Sequence, residues 1–405
     1  MLAVLLKGGL DMTGSDVHRN GKFLHAADLS VKAAALIPWI DERAAEAAAA
    51  ATLPGDVIDV LVAQGFFRLA LPRSLGGLEL DPVATLVATE TLAWGDGSTA
   101  WAVAIGNSSF IFAWLDQAVA AKLLAGRAGQ PVASMLAPSG DGVEVPGGYR
   151  LSGRWHYVTG SPHASLFVVG FAVIGPDGEV QHTSGGPAFR WAVLDAADVR
   201  IETTWLGAAG MRGSGTHDIT AQDVFVPNAQ TLAPFVGPPR VEGRLYRMPF
   251  FMGTAMLTGI PLGVARRALD ELNTLCRRKT REGMLLAEDP DMQVRLAEAE
   301  ASLRASRSFV LESLERIWKV VQVCDAPLDR RIDFALAAQH AMRSAVNAVN
   351  VAFEVGGASA AKADSVIQRC WRDVNVMSQH VSFHRARFRE AGQALLGVVD
   401  EVPDF

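Results

Sequence analysis

The segment "YRLSGRWHYV" (residues 149–158) decides the fold class, because the hydrophobic pattern of the chain changes here to a period of two. Tyr149, Leu151, Trp155 and Tyr157 are separated by polar or small residues, which predicts a strand with these four side chains on its buried face. Further apolar runs and turn signals predict a small antiparallel β domain over residues 129–236. Because helical patterns lie on both sides of it, the expected order is α, then β, then α.

An N-terminal helical domain is predicted over residues 28–128. In "DPVATLVATETLAWG", Asp81 is expected to cap a helix and Pro82 to occupy its first position. The stretch "GSTAWAVAIGNSSFIFAWL" (97–115) is apolar on nearly all sides, which predicts that it is buried.

A second helical domain is predicted over residues 245–405. One long helix is expected to begin at Asp289 and Pro290, and another to end at Gly356. Long helices joined by short connections are typical of an antiparallel bundle.

Composition limits the possible functions. The chain has 405 residues and a formal net charge of −6, which disfavours a nucleic-acid or anionic membrane surface. Cys276, Cys324 and Cys370 have no metal-binding spacing, so reduced thiols in a cytoplasmic protein are expected. No apolar run reaches the roughly twenty residues that a membrane span requires. Met1 and Met12 both remain candidate starts.

Three motifs leave alternatives open. His380 and His384 lie four residues apart, a metal-binding spacing on a helix face, but no third ligand is evident, so no metal is expected. "GMRGSGTHD" (210–218) has Asp218 where a dinucleotide fingerprint needs glycine, which leaves a plain β-loop or a backbone that approaches a ligand closely. "WHYVTGSPHAS" (155–165) is either a strand-to-loop turn or one wall of a flavin site.

Five stretches, taken in order, resemble the acyl-CoA dehydrogenase superfamily: "LVAQGFFRLALPRSLGGLEL" (61–80), "YRLSGRWHYVTGSPHAS" (149–165), "WLGAAGMRGSGTHDITAQDVFVP" (205–227), "GIPLGVARRALDEL" (259–272) and "FEVGGASAAKADSVIQRCWRD" (353–373). The resemblance implies an α+β, mainly α, fold with an N-terminal α domain, a middle antiparallel β-barrel and a C-terminal four-helix bundle. Typical dehydrogenases of this superfamily carry a glutamate base shortly after the Arg372-Asp373 pair. Here no carboxylate lies between Asp373 and Arg385, and His380 stands at or beside that place.

This departure resembles the two-component flavin-dependent monooxygenases of the same superfamily, which also match "GDGSTAWAV" (95–103) and "GMRGSGTHD". The resemblance implies that reduced flavin (FMNH2 or FADH2) and O2 form a C4a-hydroperoxide that hydroxylates or oxygenates a small aromatic or hydrophobic substrate. It places His380 at flavin and substrate and Thr159 beside the flavin N5 edge. The other implied site residues are Ser161 and Trp205 at the flavin, Arg212 and Ser214 at its phosphate end or a substrate loop, and Asn107 on the substrate side.

A neutral imidazole suits this chemistry, because it can donate or accept a hydrogen bond with a pKa near the working pH. The resemblance further implies a separate NAD(P)H:flavin reductase and a homotetramer formed through the C-terminal helices. Two alternatives remain: a flavin dehydrogenase or oxidase with His380 as base, and a non-catalytic flavin-fold protein. The sequence does not identify the substrate.

Overall fold

The computed structural model describes residues 26–183, 186–234 and 236–400, so the choice between Met1 and Met12 lies outside the described residues. The helices of the N-terminal region are α1 (Ala26–Ala50), α2 (Gly55–Gln64), α3 (Pro82–Gly95), α4 (Gly97–Gly106) and α5 (Gln117–Leu123).

The predicted N-terminal signal of α3 is confirmed. Asp81 caps α3 by accepting a hydrogen bond from the Ala84 amide at 2.8 Å. The stretch 97–115 is buried almost throughout, as expected, but α4 ends at Gly106 and a 3-10 helix (Ser108–Trp114) continues from it. Asn107 lies at the break between the two.

The middle region forms one large sheet and one small one. Its strands are β1 (Val132–Val145), β2 (Gly148–Val158), β3 (Leu166–Ile174), β4 (His182–Thr183), β5 (Gly186–Pro187), β6 (Phe189–Asp195), β7 (Arg200–Glu202), β8 (His217–Pro227) and β9 (Thr231–Leu232). The large sheet has seven strands in the order β7-β8-β2-β1-β3-β6-β9.

The prediction of an antiparallel domain is wrong for one pair of strands. β1 and β3 are parallel, with Val132 opposite Leu166, whereas the other neighbours in the large sheet are antiparallel. The reason is topological: β2 forms a hairpin on one side of β1, and the chain then returns along the other side. Closure of this sheet into a barrel is not confirmed, because β7 and β9 are the two ends of the strand order.

Strand β2 follows the predicted alternation only as far as Trp155. Tyr149, Leu151 and Trp155 are buried, but Tyr157 is 66% exposed. The register of β2 against β8 shifts between Trp155 and Val158, and Tyr157 has a φ of 62°. A β-bulge of this kind redirects a side chain, so the expectation that Tyr157 is buried is wrong.

The C-terminal region contains the helices α6 (Pro249–Cys276), α7 (Pro290–Val320), α8 (Leu328–Gly356), α9 (Val366–Met377) and α10 (Ala386–Leu395), with a small hairpin of β10 (Thr280–Arg281) and β11 (Met284–Leu285) after α6. As predicted, Asp289 caps α7, and α8 ends at Gly356. Helices α6, α7, α9 and α10 all pack on α8.

Two glycines of α6 allow this C-terminal helix to pack closely against α3 of the N-terminal region. Helix α6 crosses α3 so closely that a Cβ atom on Gly259 would lie 2.4 Å from the Leu86 carbonyl oxygen. A Cβ on Gly263 would lie 2.2 Å from the Glu90 carbonyl oxygen. Only glycine permits this backbone approach, which helps to fix the walls of the cavity described below.

Helix α9 ends at Met377, before the two histidines. His380 begins a 3-10 turn over Val381–Phe383, and His384 follows that turn. The two side chains therefore do not share a helix face, and that expectation is wrong. Over the ranges given above, no group of three potential metal ligands occurs, and no helix is long and apolar enough to cross a membrane.

Candidate active site

A cavity of about 850 Å³ lies where the three regions meet. Helix α4, strands β1 and β2, the 205–216 loop and helices α6, α8 and α9 all contribute to its walls, which are mostly apolar. Among its described lining residues, there is no Asp or Glu, and the titratable side chains are Tyr157, His380 and Arg387. Four of the predicted site residues line it: Thr159, Trp205, Ser214 and His380.

A chain of three hydroxyl groups runs from the cavity into the 205–216 loop. Ser214 Oγ donates to the Met211 carbonyl oxygen at 2.7 Å. Because a carbonyl only accepts, Ser214 in turn accepts from Thr216 Oγ1 at 2.7 Å, and Thr216 accepts from Thr159 Oγ1 at 2.9 Å. The hydroxyl hydrogen of Thr159 is thereby used inside the protein, and Thr159 presents a lone pair to the cavity.

The Met211 peptide fixes this loop. Its carbonyl oxygen also accepts from Trp205 Nε1 at 2.9 Å, which orients the indole at the cavity wall. Its N–H donates to Asp373 Oδ1 at 2.6 Å, although Met211 has a φ of 53°, a left-handed conformation that is uncommon for this residue type. The Arg372-Asp373 pair thus acts on the site through Asp373, which holds the loop in a strained conformation.

Burial raises the pKa of Asp373 to about 6, and the neighbouring Asp96 contributes to the increase. A raised carboxyl pKa stabilises the folded state at low pH, and this stabilisation is lost as the pH rises through 6. At neutral pH the charged Asp373 carboxylate therefore lowers the stability of the folded state, although it keeps its hydrogen bond to the Met211 N–H.

We expect Asp373→Ala to lower the free energy of unfolding by ~2–4 kcal/mol, because it leaves the buried Met211 N–H without its acceptor. Asp373→Asn keeps an acceptor oxygen and is the matched control. Since the pKa rises from its ordinary value of 3.8 to about 6, wild type should lose roughly 2–3 kcal/mol relative to Asp373→Asn between pH 4 and pH 8. Urea unfolding at one protein concentration measures both; parallel pH profiles for wild type and Asp373→Asn would contradict the assignment.

His380 is held at the cavity wall by its own turn. Its Nδ1 accepts a hydrogen bond from the Ser382 amide at 3.2 Å, so the proton of the neutral ring is on Nε2. The ring packs edge-on against Trp101, with centroids 5.1 Å apart. Burial lowers the pKa of His380 to about 4. The imidazole is therefore neutral at physiological pH, and the expectation of a pKa near the working pH is wrong.

Tyr157 and Trp205 form an aromatic pair on one side of the cavity, with centroids 6.2 Å apart and planes at 78°. The strained Tyr157 peptide donates its N–H to Asp218 Oδ1 at 3.2 Å. Asp218 also accepts from Arg154 and His156. Asp218, which stands where a dinucleotide fingerprint needs glycine, thus holds this wall of the cavity by hydrogen bonds.

Three predicted site residues are not brought to the cavity. The Asn107 amide nitrogen donates to the carbonyl oxygens of Phe66 and Val103, and its oxygen accepts from the Leu69 amide, each at 2.8 Å. Asn107 is fully buried and stabilises the end of α4, so its substrate contact is not supported. Ser161 is also buried and bonds the Gly215 carbonyl oxygen, and Arg212 is half-buried in the turn before Ser214.

Sequence reasoning missed several residues that line the cavity. Thr216 lies within "GMRGSGTHD" and could have been found there as a hydroxyl between glycine and histidine. Ser108 and Ser134 come from distant segments but join through their hydroxyl oxygens at 2.7 Å. Arg387 lies in the polar stretch after His384, where no local signal distinguishes it from its exposed neighbours.

The residues present fit a flavin ring. A volume of about 850 Å³ is within the ~300–1,000 Å³ that ligand sites usually occupy, and apolar walls with a few directed polar groups are what a planar heterocycle needs. Thr159, Trp205 and Tyr157 would hold the ring system. His380, on a different segment, would face the substrate.

The fold is that of an acyl-CoA dehydrogenase-like protein. The family described as "Acyl-CoA dehydrogenase, N-terminal domain" matches residues 36–128, and "Acyl-CoA dehydrogenase, C-terminal domain" matches residues 255–385. The indole-3-acetate monooxygenase of Pseudomonas putida is 33% identical over 84% of this chain and 87% of its own length.

The oxygenase subunit HsaA of a Rhodococcus jostii flavin-dependent monooxygenase is 30% identical over 86% of this chain and 92% of its own length. The crystal structure of the HsaA monooxygenase from M. tuberculosis superposes with a TM-score of 0.85 at 26% identity, covering 94% of this chain and all of that one. The chain belongs to the acyl-CoA dehydrogenase superfamily, in its branch of flavin-dependent monooxygenases.

Proposed function

We propose that this chain is the oxygenase component of a two-component flavin-dependent monooxygenase. It uses reduced flavin and O2 to hydroxylate or oxygenate a small aromatic or hydrophobic substrate. The observation that carries the proposal is the cavity lining, in which no described residue is a carboxylate and His380 is a neutral imidazole. With a pKa of about 4, His380 is a weak base, which disfavours the alternative of a dehydrogenase or oxidase that uses it to remove a proton.

Each part of the site has a role in this proposal. When bound, reduced flavin supplies the two electrons that oxygen activation requires. Trp101 and the other apolar walls exclude water, which protects the oxidising equivalent from unproductive release as hydrogen peroxide. His380 offers its Nε2–H as a neutral donor to the oxygen being transferred or to a substrate hydroxyl group.

The names of the relatives support two further parts of the proposal. "Oxygenase subunit" implies a separate flavin reductase, which we propose as the partner of this chain. An indole-3-acetate monooxygenase among the relatives is consistent with an aromatic substrate. The proposal covers FMNH2 and FADH2 alike.

The hydroxyl chain supports a preference for reduced flavin. The N5 atom of a reduced isoalloxazine carries a hydrogen and donates, whereas the oxidised ring has a lone pair at N5 and accepts. Thr159 presents a lone pair because its hydrogen is used on Thr216. We propose that Thr159 therefore accepts from N5–H and mismatches the oxidised ring, so that the site selects flavin by redox state.

Anaerobic titration tests this proposal. Wild type should bind reduced flavin more tightly than oxidised flavin, measured by flavin fluorescence or absorbance. In Thr216→Val, the Thr159 hydroxyl loses its acceptor and becomes able to donate. The dissociation constant for oxidised flavin divided by that for reduced flavin should then fall by roughly tenfold, which corresponds to one matched buried hydrogen bond.

Two variants serve as controls. Ser214→Ala should lower the ratio in the same direction, because Thr216 can then turn its hydrogen toward Thr159. Thr159→Val removes the group itself and should abolish the effect of a second change at Thr216. A general loosening of the site would weaken the binding of reduced and oxidised flavin equally and leave the ratio unchanged. An unchanged ratio in Thr216→Val would therefore contradict the proposed direction of the hydrogen bonds from Thr159 to Thr216.

We propose a homotetramer formed through a C-terminal four-helix bundle, in a cytoplasmic protein. Support comes from exposed apolar side chains near the C-terminus: Val381, Leu395, Leu396 and Val398 are each more than 60% exposed. Light scattering measures the assembled mass.

A further inference from the structure

The amide side chain of Gln339 lines the cavity on its α8 side. The residue is only 3% exposed, although glutamine usually lies at the protein surface. Ala335, one helical turn earlier, and Ala338 line the same wall, and their small side chains leave the amide uncovered toward the cavity. Because buried polar groups are nearly always hydrogen-bonded, each polar atom of this amide should have a partner.

Ser382 determines the orientation of the amide. Gln339 Nε2 donates to the Ser382 carbonyl oxygen at 2.5 Å. Because a carbonyl oxygen only accepts, the amide nitrogen and not the amide oxygen must face it. Oε1 therefore lies on the opposite side of the amide group, and within the described part of the chain no residue donates a hydrogen bond to it. The cavity wall thus carries an acceptor that a bound molecule can satisfy.

The same residue, Ser382, also holds His380. Its amide donates to His380 Nδ1 at 3.2 Å, so that the ring keeps its hydrogen on Nε2. Gln339 and His380 are therefore fixed on the two polar groups of one peptide segment, and both line the cavity. They offer opposite polarity, because His380 Nε2–H donates and Gln339 Oε1 accepts. A hydroxyl group matches both, whereas an ether oxygen or an anionic oxygen matches His380 alone.

Resting on the proposed function, we infer that Gln339 is a specificity residue that contacts substrate and accepts a hydrogen bond from a neutral donor group on it. Where that group is a hydroxyl, its oxygen accepts from His380, and the two bonds together fix the orientation of the ring. A ligand without the hydrogen leaves Oε1 unpaired, and an anionic oxygen is repelled by the Oε1 lone pairs. Gln339 thereby selects the protonated form of the group that it binds.

The experiment compares two neutral probes, 2-naphthol and 2-methoxynaphthalene. Both carry an oxygen that can accept from His380, but only 2-naphthol carries a hydrogen for Gln339. Each probe is titrated anaerobically into the protein loaded with reduced flavin, and the dissociation constants are measured by calorimetry. Wild type should prefer 2-naphthol. In Gln339→Leu the hydroxyl is buried without an acceptor, so the preference for 2-naphthol over the ether should fall by roughly 10–100-fold.

Two variants separate recognition from support of the chain segment. Gln339→Glu keeps an oxygen at the end of a side chain of the same length but removes the amide donor to Ser382. It should therefore retain the preference for 2-naphthol, although the segment is held less firmly. His380→Asn should weaken binding of both probes by a similar factor and leave their ratio nearly unchanged, because both oxygens lose the same donor.

Equal affinity of wild type for the two probes, or a preference for the ether, would overturn the inference. The same holds if Gln339→Glu loses as much of the preference as Gln339→Leu, because Gln339 would then act only by supporting the segment. Titration of reduced flavin alone is carried out first. Normal flavin binding with the wrong probe ratio refutes the role of Gln339 alone, whereas failure to bind reduced flavin refutes the proposed function and this role together.

Discussion

Product formation from an aromatic substrate should occur only when a flavin reductase is present with this chain. The assay contains the purified protein, NADH or NADPH, flavin, O2 and substrate, with or without an unrelated NAD(P)H:flavin reductase. Because the oxygenase consumes two electrons per turnover, omission of the reductase should abolish product rather than lower it partially. Chromatographic measurement of the oxygenated product gives the result.

The physical reason is the lack of a place for nicotinamide in the described part of the chain. A dinucleotide site needs a βαβ unit, with the phosphates at the start of its helix. Between β1 and β9 the described residues form strands and 3-10 turns, with no α-helix, and "GMRGSGTHD" is one of those turns leading into β8. The single cavity described above is assigned to flavin and substrate.

Controls separate this result from artefacts. Chemically or photochemically reduced flavin, supplied anaerobically and followed by O2, should replace the reductase and give a single turnover. Catalase should leave the yield unchanged, which excludes oxidation by free hydrogen peroxide. Steady turnover with NAD(P)H alone, or reduction of an artificial acceptor by an acyl thioester, would refute the two-component assignment.

His380→Ala is expected to lower substrate oxygenation by roughly 10²-fold or more, the usual scale for loss of a proton donor or acceptor at the reacting atoms. Hydrogen peroxide should take up the difference, because reduced flavin and oxygen still react. The affinity for reduced flavin should remain nearly that of wild type, since Thr159 and Trp205 lie on other segments. Product and peroxide are quantified together as a coupling ratio.

Two replacements distinguish the ring's role from that of its turn. His380→Asn keeps an oxygen that can accept from the Ser382 amide and so preserves the turn over residues 381–383. His380→Gln instead provides an N–H donor at about the distance of Nε2. If the donor matters, the glutamine variant should retain more coupling than the asparagine variant; the reverse order would assign His380 to the turn alone.

The low pKa of His380 determines how the coupling ratio and the stability should depend on pH. The coupling ratio should not titrate with His380 between pH 6 and pH 9, since the pKa of the ring is about 4. A lowered histidine pKa contributes stability that is complete above the ordinary value of 6.5 and is lost as the pH falls toward 4. His380→Asn should therefore flatten the stability profile on the acid side.

Local signals in the sequence determined most of the secondary structure. The caps at Asp81 and Asp289 and the stop at Gly356 depend on residues a few positions apart, and the structure has each of them. The α, β, α order follows from hydrophobic periods that any folded state must satisfy. Motif resemblance added the superfamily and the monooxygenase branch, and it predicted site roles for Thr159, Trp205 and His380, all of which line the cavity.

Only the tertiary structure decided which residues share the cavity, how they are protonated and in which direction their hydrogen bonds run. The parallel pairing of β1 with β3, the bulge that exposes Tyr157 and the internal role of Asn107 depend on partners far away in the chain. The same is true of the pKa of His380, because burial by distant segments sets it. The direction of the hydroxyl chain from Thr159 depends on the Met211 carbonyl, which Asp373 positions from the far end of the sequence. Periodicity and motifs depend on a residue's neighbours in the sequence. Protonation, hydrogen-bond direction and cavity shape depend instead on its neighbours in space.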